Sequence, residues 1–246
     1  MLDLLAFDLD GTLANTEGLQ AESYAYAMRR LRPEVDGHDV IAAYTDGCIG
    51  LSREEIATHL LHRFRLEALA REHDGSVEPW ESYVNIRLER YHAMLDDEDL
   101  VRDHAREPAV ALARRAHDLA RSVAVVTTSD RHNAEAVLAA LRLGDAFDTV
   151  VTADDVANTK PDPEGYRLAL SRLGAEAGRS AAVEDSPAGI RGALAAGLTV
   201  FAVPTEFTRD DVEAMAASGE VDRLTESGDL PEAVQRAATA RGTRAA

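Results

Sequence analysis

The sequence predicts an α/β fold in which a parallel sheet is interrupted by an inserted α-helical cap domain. Two observations predict it. Short aliphatic runs alternate with helical patterns in the second half of the chain, as in βα units on a parallel sheet. In contrast, the segment 15–103 has helical periodicity and little strand character. We therefore expect a core domain at 1–14 and 104–246 and a cap domain at 15–103.

Five aliphatic runs are the candidate strands of the core, at 2–7, 123–126, 149–151, 181–183 and 198–203. Helical patterns follow the middle three runs, at 132–141, 163–173 and 187–196. Proline is tolerated in a first helical turn, so Asp162 and Ser186 are the expected N-caps before Pro163 and Pro187. Glycine often follows a helix, and the expected stops are Gly144, Gly174 and Gly197.

The inserted segment carries helical patterns at 19–31, 53–65 and 80–95. Ligands of open α/β sheets bind beyond the carboxyl ends of the strands, so an insertion directly after the first strand would cover the site as a lid. The acidic run 96–99 fits an exposed hinge or a solvated charge cluster.

The composition and net charge of the chain limit the classes of binding partner and the cellular compartment that we expect for it. The 246 residues are 46% apolar, enough for a full core, yet no apolar run approaches the roughly 20 residues of a membrane span. Acidic residues interrupt the first apolar run, so we expect no signal peptide, and Cys48, the single cysteine, excludes an intramolecular disulfide. These features favour a cytoplasmic protein. The net charge of -18 argues against nucleic acid and anionic membranes as partners.

The segment FDLDGTL ends the first apolar run on two carboxylates, Asp8 and Asp10. Neighbouring acids at the end of a buried element repel each other and resist desolvation. We therefore expect a cation beside them.

Further polar residues follow the other candidate strands. Thr127 follows the second run, and Glu184 and Asp185 follow the fourth. Lys160, the only lysine of the chain, lies in a loop between a strand and a helix. Carboxylates, a hydroxyl and one ammonium group at the same edge of a sheet suit a phosphate and a hard divalent cation.

Four segments carry a resemblance to a known family. They read DLDGTL at 8–13, VVTTS at 125–129, KPDP at 160–163 and EDSPAGI at 184–190. In this order, with a helical insertion after the first, the sequence resembles the haloacid dehalogenase superfamily, in the branch of β-phosphoglucomutase and the phosphoglycolate-phosphatase-like enzymes. The resemblance covers nearly the whole chain and implies a Rossmann-like core with a helical cap.

The resemblance also implies catalytic roles. Asp8 would attack phosphorus and become an aspartyl-phosphate. Asp10 would protonate the leaving oxygen and later accept a proton from water. Thr127 and Lys160 would bind phosphoryl oxygens and stabilise charge during transfer.

Binding roles follow from the same likeness. Gly11, Thr12 and Thr128 would help to hold the substrate phosphate. Mg²⁺ would be held by Asp8, the Asp10 backbone carbonyl and Asp185, with Glu184 as a further ligand or an outer partner.

In the cap, the segment 50–54 resembles the part of β-phosphoglucomutase in which an arginine binds the far phosphate of the substrate, which gives that role to Arg53. Arg87 lies near a second basic position of that enzyme, although a solvated helix face would also explain it. Asn15 and Gln20 stand where the family commonly has aspartate and histidine. In the mutase that histidine contributes to binding or proton handling, so Gln20 disfavours mutase activity.

We therefore expect a Mg²⁺-dependent phosphatase that acts, as a monomer, on a small phosphorylated metabolite, with a sugar phosphate as the favoured substrate. Two alternatives remain open at the level of sequence. One is a sugar-phosphate mutase, and the other is a phosphorylatable signalling receiver, which also arranges an acceptor aspartate, a threonine and a lysine around Mg²⁺.

Overall fold

The computed structural model describes residues 1–48, 51–221 and 223–242. The chain forms two compact units. Unit 1 comprises Met1–Asn15 and Glu98–Ala246, and unit 2 comprises Thr16–Asp97. The functional domain boundaries drawn from the sequence, after residues 14 and 103, stay a prediction.

The regular elements of unit 2, within its described residues, are all helices. Its helices are α1 (Glu17–Leu31), α2 (Gly37–Gly47), α3 (Arg53–Phe64), α4 (Glu67–His73) and α5 (Pro79–Leu95). Ser52 and Glu55 form a reciprocal capping box that starts α3. The helices enclose an apolar core that includes the buried rings of Tyr24 and Tyr83.

Unit 1 contains a five-stranded sheet, with β1 (Leu2–Phe7), β2 (Ala120–Val126), β3 (Thr149–Val151), β4 (Ala181–Glu184) and β5 (Thr199–Ala202). All the strand pairs are parallel, and the order across the sheet is β3-β2-β1-β4-β5. This sheet and its flanking helices confirm the predicted α/β fold. Helices cover both faces of such a sheet, which is why its strands are aliphatic runs without polar alternation.

The helices of unit 1 are α6 (Glu98–Asp103), α7 (Glu107–Arg114), α8 (Arg131–Ala140), α9 (Glu164–Leu173), α10 (Pro187–Ala195), α11 (Arg209–Ala217) and α12 (Leu230–Gly242). The acidic run 96–99 reaches into α6, where Glu98 and Asp99 both pair with Arg102. Within the described residues, no helix has the length and apolar character needed to cross a bilayer.

Five predicted helix limits can be compared with the structure. Gly174 is the C-cap of α9 as predicted, in the left-handed conformation with φ of 58°, and Gly197 takes the same conformation two residues after α10 ends. Ser186 is the N-cap of α10 and accepts a hydrogen bond from the backbone of Gly189, as predicted. The cap residue of α9 is Pro163, one residue later than predicted, while the Asp162 side chain accepts a bond from the first helical N–H. Gly144 is not the stop of α8, because Arg142 takes the left-handed conformation, with φ of 56°, two residues after the helix ends.

The register of the sheet aligns the strand ends. Phe7 pairs with Val125 on one side and with Val183 on the other. The residues that directly follow β1, β2 and β4 therefore emerge at the same edge, on the three strands at the centre of the sheet.

Candidate active site

Asp8 lies at the carboxyl end of the central strand. Its backbone N–H donates to Val183 O at 3.0 Å, which continues the pairing with β4 by one residue. Its side chain is buried, with 6% of the residue exposed. The carboxylate is thus held by the sheet itself rather than by a mobile loop.

Lys160 bridges two of the acids. Its Nζ donates to Asp8 Oδ1 at 2.5 Å and to Glu184 Oε1 at 2.6 Å. Burial would lower the pKa of this lysine, but the facing carboxylates outweigh that effect and raise the pKa above its ordinary range. The one lysine of the chain is therefore a permanent positive charge at the edge of the sheet.

Asp8, Glu184 and Asp185 form a buried acidic cluster, in which one carboxylate oxygen of each lies within 4.8 Å of the others. Lys160 pairs with two of the three acids, Asp8 and Glu184. Glu184 Oε2 is buried and has no hydrogen-bond partner among the described residues. Clustered carboxylate oxygens are the ligands that hard divalent cations prefer, so these residues fit such an ion.

Burial and the neighbouring charges also shift the pKa of Asp8. Burial raises the pKa of the Asp8 carboxyl to about 8, with Lys160 opposing the rise and the nearby Glu184 and Asp10 carboxylates adding to it. A divalent cation beside these acids would favour the ionised form of Asp8.

Asp10 is half-buried and is held from the end of β2. Its Oδ2 accepts a hydrogen bond from Ser129 Oγ at 2.6 Å and a longer one from Thr127 Oγ1 at 3.4 Å. The Ser129 N–H in turn donates to Thr127 Oγ1 at 3.0 Å. Sequence reasoning did not assign a role to Ser129, although it lies within the quoted VVTTS segment, where a hydroxyl two residues after Thr127 was the available signal.

The turn after Asp10 brings further predicted residues to the cluster. Gly11 has φ of 80°, a left-handed conformation that glycine adopts without strain. Thr12 is fully buried, and its hydroxyl donates to Asp185 Oδ1 at 3.4 Å. Thr128, by contrast, is exposed. The substrate-binding roles of these three residues stay predictions.

Arg106 anchors the same turn from outside the motifs. Its guanidinium donates to the carbonyl of Gly11, to Val203 O at 2.8 Å and to Pro204 O at 3.3 Å. It thus ties the turn after β1 to the loop after β5. Nothing in the sequence around this arginine indicated that role.

The predicted cap residues all lie in unit 2, apart from Asn15. Arg53 is exposed and is the first residue of α3. Gly50, which belongs to the same predicted segment, lies outside the described residues. Asn15 ends the first stretch of unit 1, and its backbone N–H donates to His104 O at 2.8 Å.

Arg87 is buried in unit 2, with 3% of the residue exposed, so the interpretation as a solvated helix face is wrong. Its guanidinium carbon lies 4.3 Å from the ring centre of Tyr91 and 4.9 Å from that of Tyr24. Arg87 Nη2 also donates to Gln20 Oε1 at 3.3 Å, and Tyr44 OH donates to the same oxygen at 3.5 Å. Aromatic faces and an amide oxygen offset the cost of burying this cation.

The fold and the acidic centre together define the class of the protein. A parallel sheet whose central strand ends on a buried carboxylate, beside one lysine and two further acids, is suited to phosphoryl transfer. The chain belongs to the haloacid dehalogenase-like hydrolase family, whose family model matches residues 2–197. Membership in a family of hydrolases separates it from receiver-like switches.

Individual relatives agree with this assignment. The chain is 32% identical over 216 residues to validoxylamine A 7'-phosphate phosphatase of Streptomyces hygroscopicus subsp. limoneus, covering 88% of this chain and 91% of the relative. It is 30% identical to the fructose-1-phosphate phosphatase YqaB of Escherichia coli, covering 79% of this chain and 92% of the relative. Among solved structures, a mutant of CbbY from Rhodobacter sphaeroides in complex with xylulose-(1,5)bisphosphate matches with a TM-score of 0.60 and 26% identity, covering 94% of this chain and 96% of that chain.

Proposed function

We propose that the protein is a Mg²⁺-dependent phosphatase that hydrolyses a small sugar phosphate through an aspartyl-phosphate on Asp8. The observation that carries the proposal is the position of Asp8. This carboxylate ends the central strand, accepts a hydrogen bond from Lys160 at 2.5 Å and belongs to a cluster of three buried acids. A carboxylate that is rigid and charge-balanced in this way is suited to act as a nucleophile.

The first step of the reaction forms a bond from an Asp8 carboxylate oxygen to phosphorus and breaks the bond from phosphorus to the ester oxygen. Asp10 donates a proton to that departing oxygen, which leaves as a sugar hydroxyl. Lys160 and Thr127 stabilise the charge that develops on the phosphoryl oxygens during transfer.

The second step releases the phosphate. Water attacks phosphorus and gives its proton to Asp10, and the bond between phosphorus and the Asp8 oxygen breaks, so inorganic phosphate leaves and both carboxylates return to their starting state. Ser129 contributes by holding Asp10 from the end of the neighbouring strand.

Asp8, Asp185, Glu184 and the Asp10 backbone carbonyl are the groups that would hold Mg²⁺. When bound, the ion offsets the negative charge of these acids and of the substrate phosphate.

The class of substrate is supported by the relatives and by the cap. Relatives named above act on fructose 1-phosphate or bind a xylulose bisphosphate, both of which are phosphorylated sugars. In unit 2, Arg53 stands at the first position of α3, where the helix dipole disfavours a cation, so helix stability does not explain its presence. We assign Arg53 to recognition of the part of the substrate that leaves.

The experiment that tests the function is phosphate release by the purified protein with Mg²⁺. The panel contains sugar mono- and bisphosphates, including fructose 1-phosphate, together with phosphoglycolate. We expect turnover on one or a few sugar phosphates that is abolished by Asp8→Asn and by chelation of the metal. Asp3→Asn is the matched control, because Asp3 is an acid on the same strand that pairs with Arg179 instead.

Two outcomes contradict the proposal. Absence of turnover on the whole panel excludes a sugar phosphatase. Conversion of glucose 1-phosphate to glucose 6-phosphate with a bisphosphate primer, without release of phosphate, establishes the mutase instead and shows that Gln20 does not prevent it.

A further inference from the structure

Glu184 is held by more than its ion pair with Lys160. The hydroxyl of Tyr166, a residue of α9, donates a hydrogen bond to the same oxygen, Glu184 Oε1. Both Tyr166 and Glu184 are fully buried. One oxygen of this carboxylate therefore accepts from two donors on different elements.

The other oxygen of Glu184 has a different environment. Oε2 is buried and has no hydrogen-bond partner among the described residues. A buried carboxylate oxygen without a partner is costly, and a ligand bound there would offset that cost. The acidic cluster with Asp8 and Asp185 indicates that this ligand is a cation.

A third observation concerns the backbone next to the carboxylate. A Cβ atom built on Gly189 would lie 2.0 Å from Glu184 Oε2 and 2.1 Å from Oε1. The Glu184 carboxylate thus packs directly against the α-carbon of Gly189, a residue of α10 that has no side chain. Tyr166, Lys160 and Gly189 therefore together restrict the orientation of the Glu184 carboxylate.

We propose that Tyr166 is a positioning residue for the metal centre, which acts by fixing Glu184 through Oε1 so that Oε2 remains as the oxygen available to Mg²⁺. This inference rests on the proposed function. Some residues do not touch a metal but hydrogen-bond to its ligands. Removal of such a residue commonly weakens metal binding by roughly 10- to 100-fold.

The chemistry of the two common hard cations separates a positioning role from a merely structural one. Mg²⁺ requires near-octahedral geometry with short bonds, whereas Ca²⁺ accepts variable geometry and longer bonds. A Glu184 carboxylate that has lost its anchor should therefore bind Mg²⁺ less well, with a smaller effect on Ca²⁺.

The test is calorimetric titration of the chelator-treated full chain with Mg²⁺ and with Ca²⁺, for the wild type and Tyr166→Phe. The substitution keeps the ring and removes only the hydroxyl. We expect the Kd for Mg²⁺ to rise by at least about tenfold, and the Kd for Ca²⁺ to rise less. The matched control is Tyr83→Phe, which removes a buried hydroxyl that donates to Tyr24 O at 2.8 Å within unit 2.

The outcomes distinguish this inference from the proposed function. An unchanged Mg²⁺ affinity in Tyr166→Phe overturns the positioning role, as does an equal loss of affinity for both ions or the same loss in Tyr83→Phe. A wild type that binds no Mg²⁺ overturns both proposals. A wild type that binds Mg²⁺ but releases no phosphate from any substrate overturns only the phosphatase, because the titration does not depend on turnover.

Discussion

The hydroxyl of Ser129 donates a hydrogen bond of 2.6 Å to the carboxylate of Asp10, which lies at the end of a different strand. The proposed general acid is therefore oriented from across the sheet edge. Thr127 contributes only a longer contact of 3.4 Å to the same oxygen. Of the two hydroxyls, Ser129 has the better geometry for holding Asp10.

The first prediction follows from this contact. We expect Ser129→Ala to lower kcat roughly 10- to 100-fold with little change in KM, because a misplaced acid affects transfer more than binding. Steady-state kinetics on the substrate found in the panel would measure this. Ser171→Ala, which changes an exposed serine of α9, should retain full activity. A normal kcat in Ser129→Ala would show that Thr127 alone suffices.

The second prediction concerns the charge of Lys160. Lys160→Met removes the cation between Asp8 and Glu184 and leaves buried carboxylates without their partner. We expect the free energy of unfolding in chelator to fall by about 3 kcal/mol. Mg²⁺ should restore part of the loss, since it supplies positive charge to the same acids. Urea unfolding with and without Mg²⁺ measures both effects, and equal stability of variant and wild type in chelator would contradict the argument.

The third prediction concerns Gly189. In Gly189→Ala the new methyl group would overlap the Glu184 carboxylate, so either the side chain or α10 must shift. We expect a loss of about 1–3 kcal/mol in the free energy of unfolding, together with weaker Mg²⁺ binding. Gly178→Ala is the control, because nothing lies within 4 Å of a Cβ at that position. If both variants behave alike, Gly189 has no special part in placing Glu184.

The fourth prediction concerns pH and Asp155, in the loop that follows β3. Its carboxylate accepts from Thr152 N at 2.9 Å, from Arg131 Nη2 at 2.5 Å and from Arg172 Nη2 at 2.8 Å. Burial would raise the pKa of Asp155, but these donors outweigh it and hold the pKa well below its usual range. The folded protein therefore binds the proton less readily than the unfolded chain.

Because the pKa of Asp155 is lower in the folded protein, the ionised carboxylate stabilises the fold. This contribution to the free energy of unfolding is complete above about pH 4, the ordinary pKa of aspartate, and is lost as the pH falls towards the lower pKa of the folded state. We expect Asp155→Asn to cost about 1 kcal/mol at pH 7, allowing for solvent screening. The difference from the wild type should shrink in acid. Unfolding at pH 7 and at pH 3 measures it, with Asp145→Asn, which changes an exposed acid after α8, as the control. A difference that is constant across this range would assign the cost to packing.

Much of the fold was predictable because its signals are local. The strand at 149–151 was predicted with the limits that the structure shows, and Ser186 was identified as an N-cap from its position before Pro187. Helix α2 was not predicted, although its N-cap Asp36 accepts a bond from His38 N at 2.9 Å. Its sequence is short and is bounded by Gly37 and Gly47, which are poor helix formers.

The candidate site was predictable only in part. Strand ends indicated that Asp8 and Glu184 would lie at one edge of the sheet, because parallel strands in register end together. The contacts of Arg106 with the Gly11 carbonyl and of Ser129 with Asp10 join residues 95 and 119 positions apart. Such pairs depend on the tertiary arrangement, and no short segment of sequence encodes them.

The position of β1 at the centre of the sheet has a consequence for synthesis of the chain. This strand is the first of the five to be made, yet its neighbours are Ala120–Val126 and Ala181–Glu184. More than a hundred residues must therefore follow before its first partner exists, and more than 170 before its second. Contacts of such long range form slowly, because the intervening chain must be closed into a loop first. While the ribosome is still extending the chain, the proposed nucleophile Asp8 therefore follows an apolar strand whose two edges are unpaired. The acidic cluster of Asp8, Glu184 and Asp185 can form only after the end of β4 has been synthesised.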